Sequence, residues 1–119
     1  EDAANKGNER AQYALDIFIN RCRRYIAGYM AEVGSCDAIV FTGGIGENSI
    51  EIRQEIMEGF KQFDINLDDD KNNVRGGCHI VSTDDSKVKV MVVATNEELM
   101  IARDTKSIVN AWQLVIPLI

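Results

Sequence analysis

Apolar residues recur at three- and four-residue steps between positions 8 and 33: Ala11, Ala14, Leu15, Phe18, Cys22, Tyr25, Ile26, Tyr29, Met30 and Val33. That spacing collects them on one face of a helix, while Asp16, Asn20, Arg23 and Arg24 fall mostly elsewhere. The pattern predicts one long amphipathic helix over 8–33, with Gly34 as its natural stop. The period then changes. Ala38-Ile39-Val40-Phe41 is an unbroken apolar run, the mark of a strand covered on both faces, and it breaks at Thr42-Gly43-Gly44-Ile45-Gly46. A second helix is predicted from about Ser49 to Phe60, with Asn48 as its cap and Glu51 at capping-box spacing. Ile52, Ile56, Met57 and Phe60 form its inner face.

From Asn66 to Gly77 the chain turns polar, with Asp68-Asp69-Asp70 followed by Lys71-Asn72-Asn73, and reads as a loop or turn region. His79 to Ser82 is a short strand candidate, and Val88 to Ala94, β-branched and largely apolar, a firm one. Thr95 and Glu98 make a second capping-box pair, opening a helix that runs to about Ala111. Its buried stripe is expected to be Ile101, Thr105, Ile108, Val109 and Trp112. Strands alternating with helices define an α/β layered domain. With about three strands, its sheet is expected to be incomplete without residues from elsewhere.

The chain has 119 residues, enough for one domain that buries about two-thirds of its unfolded surface. Its 45% hydrophobic and 27% charged residues are ordinary for a globular protein, so composition excludes disorder and low complexity. A net charge of −6 opposes binding to nucleic acid or to anionic membranes, though backbone amides and a metal ion can still carry a nucleotide contact. No apolar run is long enough to cross a bilayer. The polar start at Glu1 reads as a chain cut from something longer, and the apolar tail, Trp112 to Ile119, as core or a subunit contact. Cys22, Cys36 and Cys78 lack C-x-x-C spacing, and His79 has no second ligand pair, so they read as reduced, buried thiols of a cytoplasmic protein.

Two segments carry candidate chemistry. In the first, a strand ends in Gly43-Gly44-Ile45-Gly46-Glu47-Asn48 and turns straight into a helix. Such a turn exposes backbone N–H groups at the carboxyl edge of the sheet, where open α/β sheets bind ligands. Glycine lets a flat ring or a phosphate approach without meeting a Cβ. A tight turn with no ligand fits a bare Gly-x-Gly equally well. A dinucleotide fingerprint starting at Gly44-Ile45-Gly46 fits poorly, because its sixth position is Ser49. In the second segment, Thr95-Asn96-Glu97-Glu98, the cap accounts for Glu98 and leaves Glu97 free. Glu97 reads either as a first-turn carboxylate complementing the helix dipole or as an oxygen ligand to Mg²⁺, and spacing alone favours the dipole.

Asp37 to Ser49 with Arg53, and Val93-Ala-Thr-Asn-Glu-Glu-Leu-Met-Ile-Ala-Arg-Asp104, resemble the last third of the acetate kinase family, as does Gly7-Asn8-Glu9-Arg10-Ala11 with its helix. The resemblance runs from about Gly7 to Val109. It implies a ribonuclease-H-like domain of the actin, sugar kinase and heat-shock chaperone superfamily, here its C-terminal part with an incomplete sheet flanked by helices. It implies that Gly44, Ile45, Gly46, Glu47 and Asn48 line the adenosine side of an ATP site and that Glu97 helps hold Mg²⁺. The implied reaction of the parent protein joins acetate and ATP to acetyl phosphate and ADP, in a cytoplasmic homodimer. The family's catalytic arginines, aspartate and histidines precede this segment and match none of its residues, Arg53 and Arg75 included. No catalytic residue is therefore assigned, and the segment is expected to be inactive without its missing N-terminal part. A propionate or butyrate kinase, or a stand-alone nucleotide-binding or interaction module, is the alternative.

Overall fold

The computed structural model describes residues 1–113. A single turn, α1 (Asp2–Asn5), precedes the long helix α2 (Glu9–Val33). α2 begins where Asn8 is extended and its side chain accepts the Ala11 amide at 3.1 Å, which satisfies one of the first-turn donors. It buries a narrower face than the periodicity predicts. Ile19 is its one buried residue, with Leu15, Cys22, Ile26 and Met30 packed beside it, while Phe18, Tyr25, Tyr29 and Val33 are exposed. The reason is that α4 (Ile50–Glu58) and the short α1 are the elements chiefly packed on α2, and they leave the rest of its surface uncovered among the described residues. Arg23 joins the two helices by donating Nε to the Ile56 carbonyl at 3.2 Å and a terminal N–H to the Glu55 carbonyl. That sets a cation at the negative end of α4.

Three strands form the sheet: β1 (Ala38–Phe41), β2 (Cys78–Ile80) and β3 (Lys89–Val93). The order is β1-β3-β2. β1 runs parallel to β3, with Ala38 opposite Lys89 and Phe41 opposite Val92. β2 lies antiparallel on the other side of β3, with Cys78 opposite Val93. Central β3 is the dry element, with Val90 and Val92 fully buried. β1 was expected to be covered on both faces, yet Ile39 and Phe41 are buried while Val40 is 50% exposed. One of its faces has no cover within the described residues.

The core lies between this sheet and α4, whose Ile52, Ile56 and Met57, with Phe60 just beyond, are buried as the spacing predicts. The glycine-rich segment is itself a short helix, α3 (Gly43–Asn48). Asn48 therefore does not cap α4. It closes α3, donating Nδ2 to the Gly44 carbonyl at 2.9 Å, and Ser49 takes the cap by accepting the Ile52 amide at 3.2 Å. The polar stretch holds one helical turn, α5 (Asp69–Asn72), where Asp68 accepts the Asp70 and Lys71 amides at 3.0 Å each.

α6 (Glu97–Gln113) departs most from expectation. Residues 97–111 are all exposed, and Ile101, predicted to be buried, is 66% exposed. The Thr95 capping box is also absent. Asn96 is the cap, accepting the Leu99 amide at 3.0 Å, which moves Glu98 off the position from which it would reach back. The radius of gyration, 19.6 Å, exceeds the roughly 13.5 Å of a compact domain this long. All three cysteines are free, but Cys78 is exposed rather than buried, because every residue of β2 is exposed. No helix among the described residues is long and apolar enough to cross a membrane. The reading of the tail and of the Trp112 side chain falls outside the described residues.

Candidate functional site

Because β1 and β3 are parallel neighbours, the segments leaving their carboxyl ends emerge at the same sheet edge. One is α3, the other the Thr95-Asn96 entry to α6. Glu47 links them. Its Oε1 accepts the Gly43 amide at 2.9 Å, the Thr95 amide at 2.9 Å and the Thr95 hydroxyl at 3.2 Å. The Thr95 amide chiefly, then the Gly43 amide and the Thr95 hydroxyl, hold this carboxyl below the usual carboxylate range against an opposing desolvation. The Glu47 carbonyl meanwhile accepts the Gly76 amide at 3.1 Å, and Ala94 donates its amide to Gly77. Three segments, 43–48, 75–77 and 94–96, thus meet around one residue.

α3 is held from its far end too. Arg53 is fully buried and donates to four oxygens: Nη1 to the Gly46 carbonyl at 2.9 Å, Nε to the Asn72 side chain, and Nη2 to the Asn72 and Val74 carbonyls, each at 2.8 Å. Arg75 donates to the Asn48 carbonyl at 2.7 Å. The last three carbonyls of α3, at Gly46, Glu47 and Asn48, therefore each accept from outside the helix. These are the groups that a helix end leaves orphaned. Arg53 has no carboxylate partner among the described residues. Burial, then the nearby charge of Arg75, pushes its pKa below the ordinary value, yet a guanidinium stays charged. Motif reading did not assign Arg53 this role. The available signal was its place on the inner stripe with Ile52, Ile56 and Met57, where a lone charge needs internal partners.

The glycines divide by cause. Gly43 has φ +72°, a conformation other residues adopt only with strain. A Cβ on Gly46 would lie 3.2 Å from the Phe41 carbonyl carbon, so a side chain there would press α3 and the end of β1 apart by a few tenths of an ångström. Gly44 has neither reason: its φ is not positive, and a Cβ would meet nothing within 4 Å. Gly44 and Ile45 line two open clefts. One, of about 490 Å³, lies against Phe18, Val40, Phe41 and Ile56; the other, of about 330 Å³, against Leu15, Asn48, Ser49 and Arg75. Both fall in the roughly 300–1,000 Å³ range of small-molecule sites.

The structure thus brings Gly44, Ile45 and Gly46 to one cleft and Asn48 to its neighbour. Glu47 lines neither, its carboxylate being committed to Gly43 and Thr95. Glu97 lines neither as well. It sits exposed in the first turn of α6, without an ion pair among the described residues. No group of three or more His, Cys, Asp or Glu side chains gathers around any point of the described residues. Glu97 is therefore a single open carboxylate, a donor that suits an ion taking one or two carboxylates with the rest of its shell from phosphates and water.

The fold and these linked strand ends define an α/β segment whose chemistry is concentrated at the carboxyl edge of a mixed sheet. The chain matches the Acetokinase family over residues 1–103, and it belongs to that family. It is 61% identical to the acetate kinase of Finegoldia magna over 105 residues, 88% of this chain and 26% of that protein. It is 56% identical to that of Treponema denticola over 110 residues, 92% of this chain and 28% of that protein. Among solved structures, Porphyromonas gingivalis acetate kinase superposes with a TM-score of 0.81 at 40% identity, covering 91% of this chain and 27% of its own. A propionate kinase from Francisella tularensis gives 0.76 at 40%, covering 85% of this chain and 26% of its own. The chain spans about a quarter of the length of these relatives.

Proposed function

We propose that residues 1–119 are the C-terminal part of the nucleotide-binding domain of a cytoplasmic ATP:acetate phosphotransferase, converting acetate and ATP to acetyl phosphate and ADP. In this reading the domain is ribonuclease-H-like, as in actin and sugar kinases, and the remainder of the polypeptide completes its sheet and covers α6. Gly44, Ile45, Gly46 and Asn48 form the adenosine wall. The apolar cleft beside Gly44 and Ile45 suits a flat purine, with few polar groups needed to orient it. Magnesium, when bound, would neutralise the charge developing on the phosphates. Glu97 would supply one carboxylate to it, at the open end of a helix beside the same sheet edge. The segment contributes no catalytic group and is inactive alone. A homodimer accords with the apolar surface that the chain leaves open, including Tyr25 and Tyr29 of α2.

The observation that carries this reading is Gly44, a glycine for which the chain's own backbone and packing give no reason and which faces two clefts. In the full-length polypeptide, Gly44→Val is expected to raise the KM for ATP on the order of tenfold, the scale of a small misfit in a pocket. The KM for acetate should stay nearly unchanged. Equal effects on both substrates would remove the adenosine wall. The similarity to a propionate kinase supports a second reading, in which propionate replaces acetate. The ratio of kcat/KM for the two acids separates these.

A further inference from the structure

Glu47 belongs to the glycine-rich segment, yet it lines neither of the two clefts that the segment lines. All three of its donors converge on Oε1, one from the start of its own helix and two from Thr95, a residue 48 positions later in the chain. Its carbonyl is held by Gly76. A carboxylate accepting two amides and a hydroxyl forms charge-assisted bonds that also carry direction. Here they fix the α3 turn, with Ile45 and Gly44 two and three residues upstream, to the entry of α6, with Glu97 two residues downstream of Thr95. α6 is otherwise exposed over residues 97–111, so these bonds are a principal restraint on where its first turn sits.

We propose that Glu47 is a positioning residue that binds the glycine-rich turn to the Glu97 segment, so that the nucleotide wall and the metal carboxylate act as one unit. This rests on the nucleotide and magnesium reading above. It replaces a direct nucleotide contact by Glu47 with an indirect role: it sets the separation between the group that meets the purine and the group that meets the ion. A partner that orients a metal ligand has effects on metal affinity even though it never touches the ion.

The test uses the full-length polypeptide and measures the KM for ATP, the KM for acetate and the Mg²⁺ concentration giving half-maximal activity. Glu47→Ala is expected to raise the first and the third together, each about tenfold or more, with the acetate KM moving little. Glu47→Gln keeps an acceptor oxygen without the charge, so both values should rise by a smaller factor. A rise in the ATP value alone would make Glu47 an ordinary lining residue and overturn the proposal, as would no change in either. Should Glu47→Ala fail to fold, Glu47→Gln and Thr95→Val, which removes the hydroxyl donor alone, carry the same comparison. Gly44→Val and Glu97→Ala are run alongside. If Gly44→Val leaves the ATP value unmoved and Glu97→Ala leaves the Mg²⁺ response unmoved, the functional reading itself fails. If those two behave as expected while Glu47 variants do not couple the two values, only the link fails.

Discussion

α4 and α6 each follow one of the two parallel strands, and each carries an apolar stripe at helical spacing, yet they meet opposite fates. α4 is sealed: Met57 is 1% exposed, Ile52, Ile56 and Phe60 are buried, and Arg53 among them satisfies four oxygens. α6 is bare, with Ile108 59% exposed and Asn96 and Thr95 anchoring only its first turn. Amphipathic spacing thus records that a helix is built to be covered and says nothing about what covers it. For α4 the cover is α2 and the sheet; for α6 there is none among the described residues. Since the chain spans about a quarter of its relatives' length, most of the apolar surface available to such a helix is in the remainder of those proteins.

The comparison breaks most visibly at Arg53. Arg53→Ala takes the donor from the part-buried Gly46 and Val74 carbonyls and from the buried Asn72 side-chain oxygen, while the Asn72 carbonyl keeps the Val74 amide, an expected loss of about 3 kcal/mol or more in urea unfolding. Arg53→Lys should recover little, because a single ammonium cannot span four acceptors. A near-neutral Arg53→Ala would mean that α3 holds its position unaided. A smaller effect is expected at Gly43, where Ala at φ +72° should cost about 1–2 kcal/mol. The same substitution at Gly44 should leave stability nearly untouched; equal losses at the two positions would erase the distinction drawn between them. Least of all should come from α6, where Ile101→Ser is expected to shift stability of this segment by no more than about 0.5 kcal/mol. A loss as large as that expected for a core residue such as Met57 would show that α6 has a cover inside the segment.

Much of the fold was legible in the chain because its signals are local. Gly34 closing α2, the apolar inner face of α4 and the β-branched run 89–93 all emerged where spacing and residue type placed them. The misplaced caps have a shared origin. Asn48 and Ser49 are adjacent, as are Thr95 and Asn96, and each can accept a first-turn amide, so the choice fell to neighbours that spacing does not reveal. Asn48 was taken by the end of α3, and Thr95 by Glu47. The glycine-rich turn was legible as a candidate site, but its internal division was not. Only coordinates separate Gly43, which answers to backbone conformation, and Gly46, which answers to Phe41, from Gly44, which answers to neither.

By itself, the order of residues determined the alternation of helices and strands, the inner face of α4 and the two candidate segments, since each depends on contacts within a few positions. Tertiary structure decided that β1 and β3 are parallel neighbours, that Glu47 reaches Thr95, and that Arg53 is buried among carbonyls. Most of those contacts join residues far apart in the chain, 48 positions for Glu47 and Thr95, beyond the reach of any local periodicity. They exist because packing brings unpaired donors and acceptors together and burial leaves them no water to bond instead.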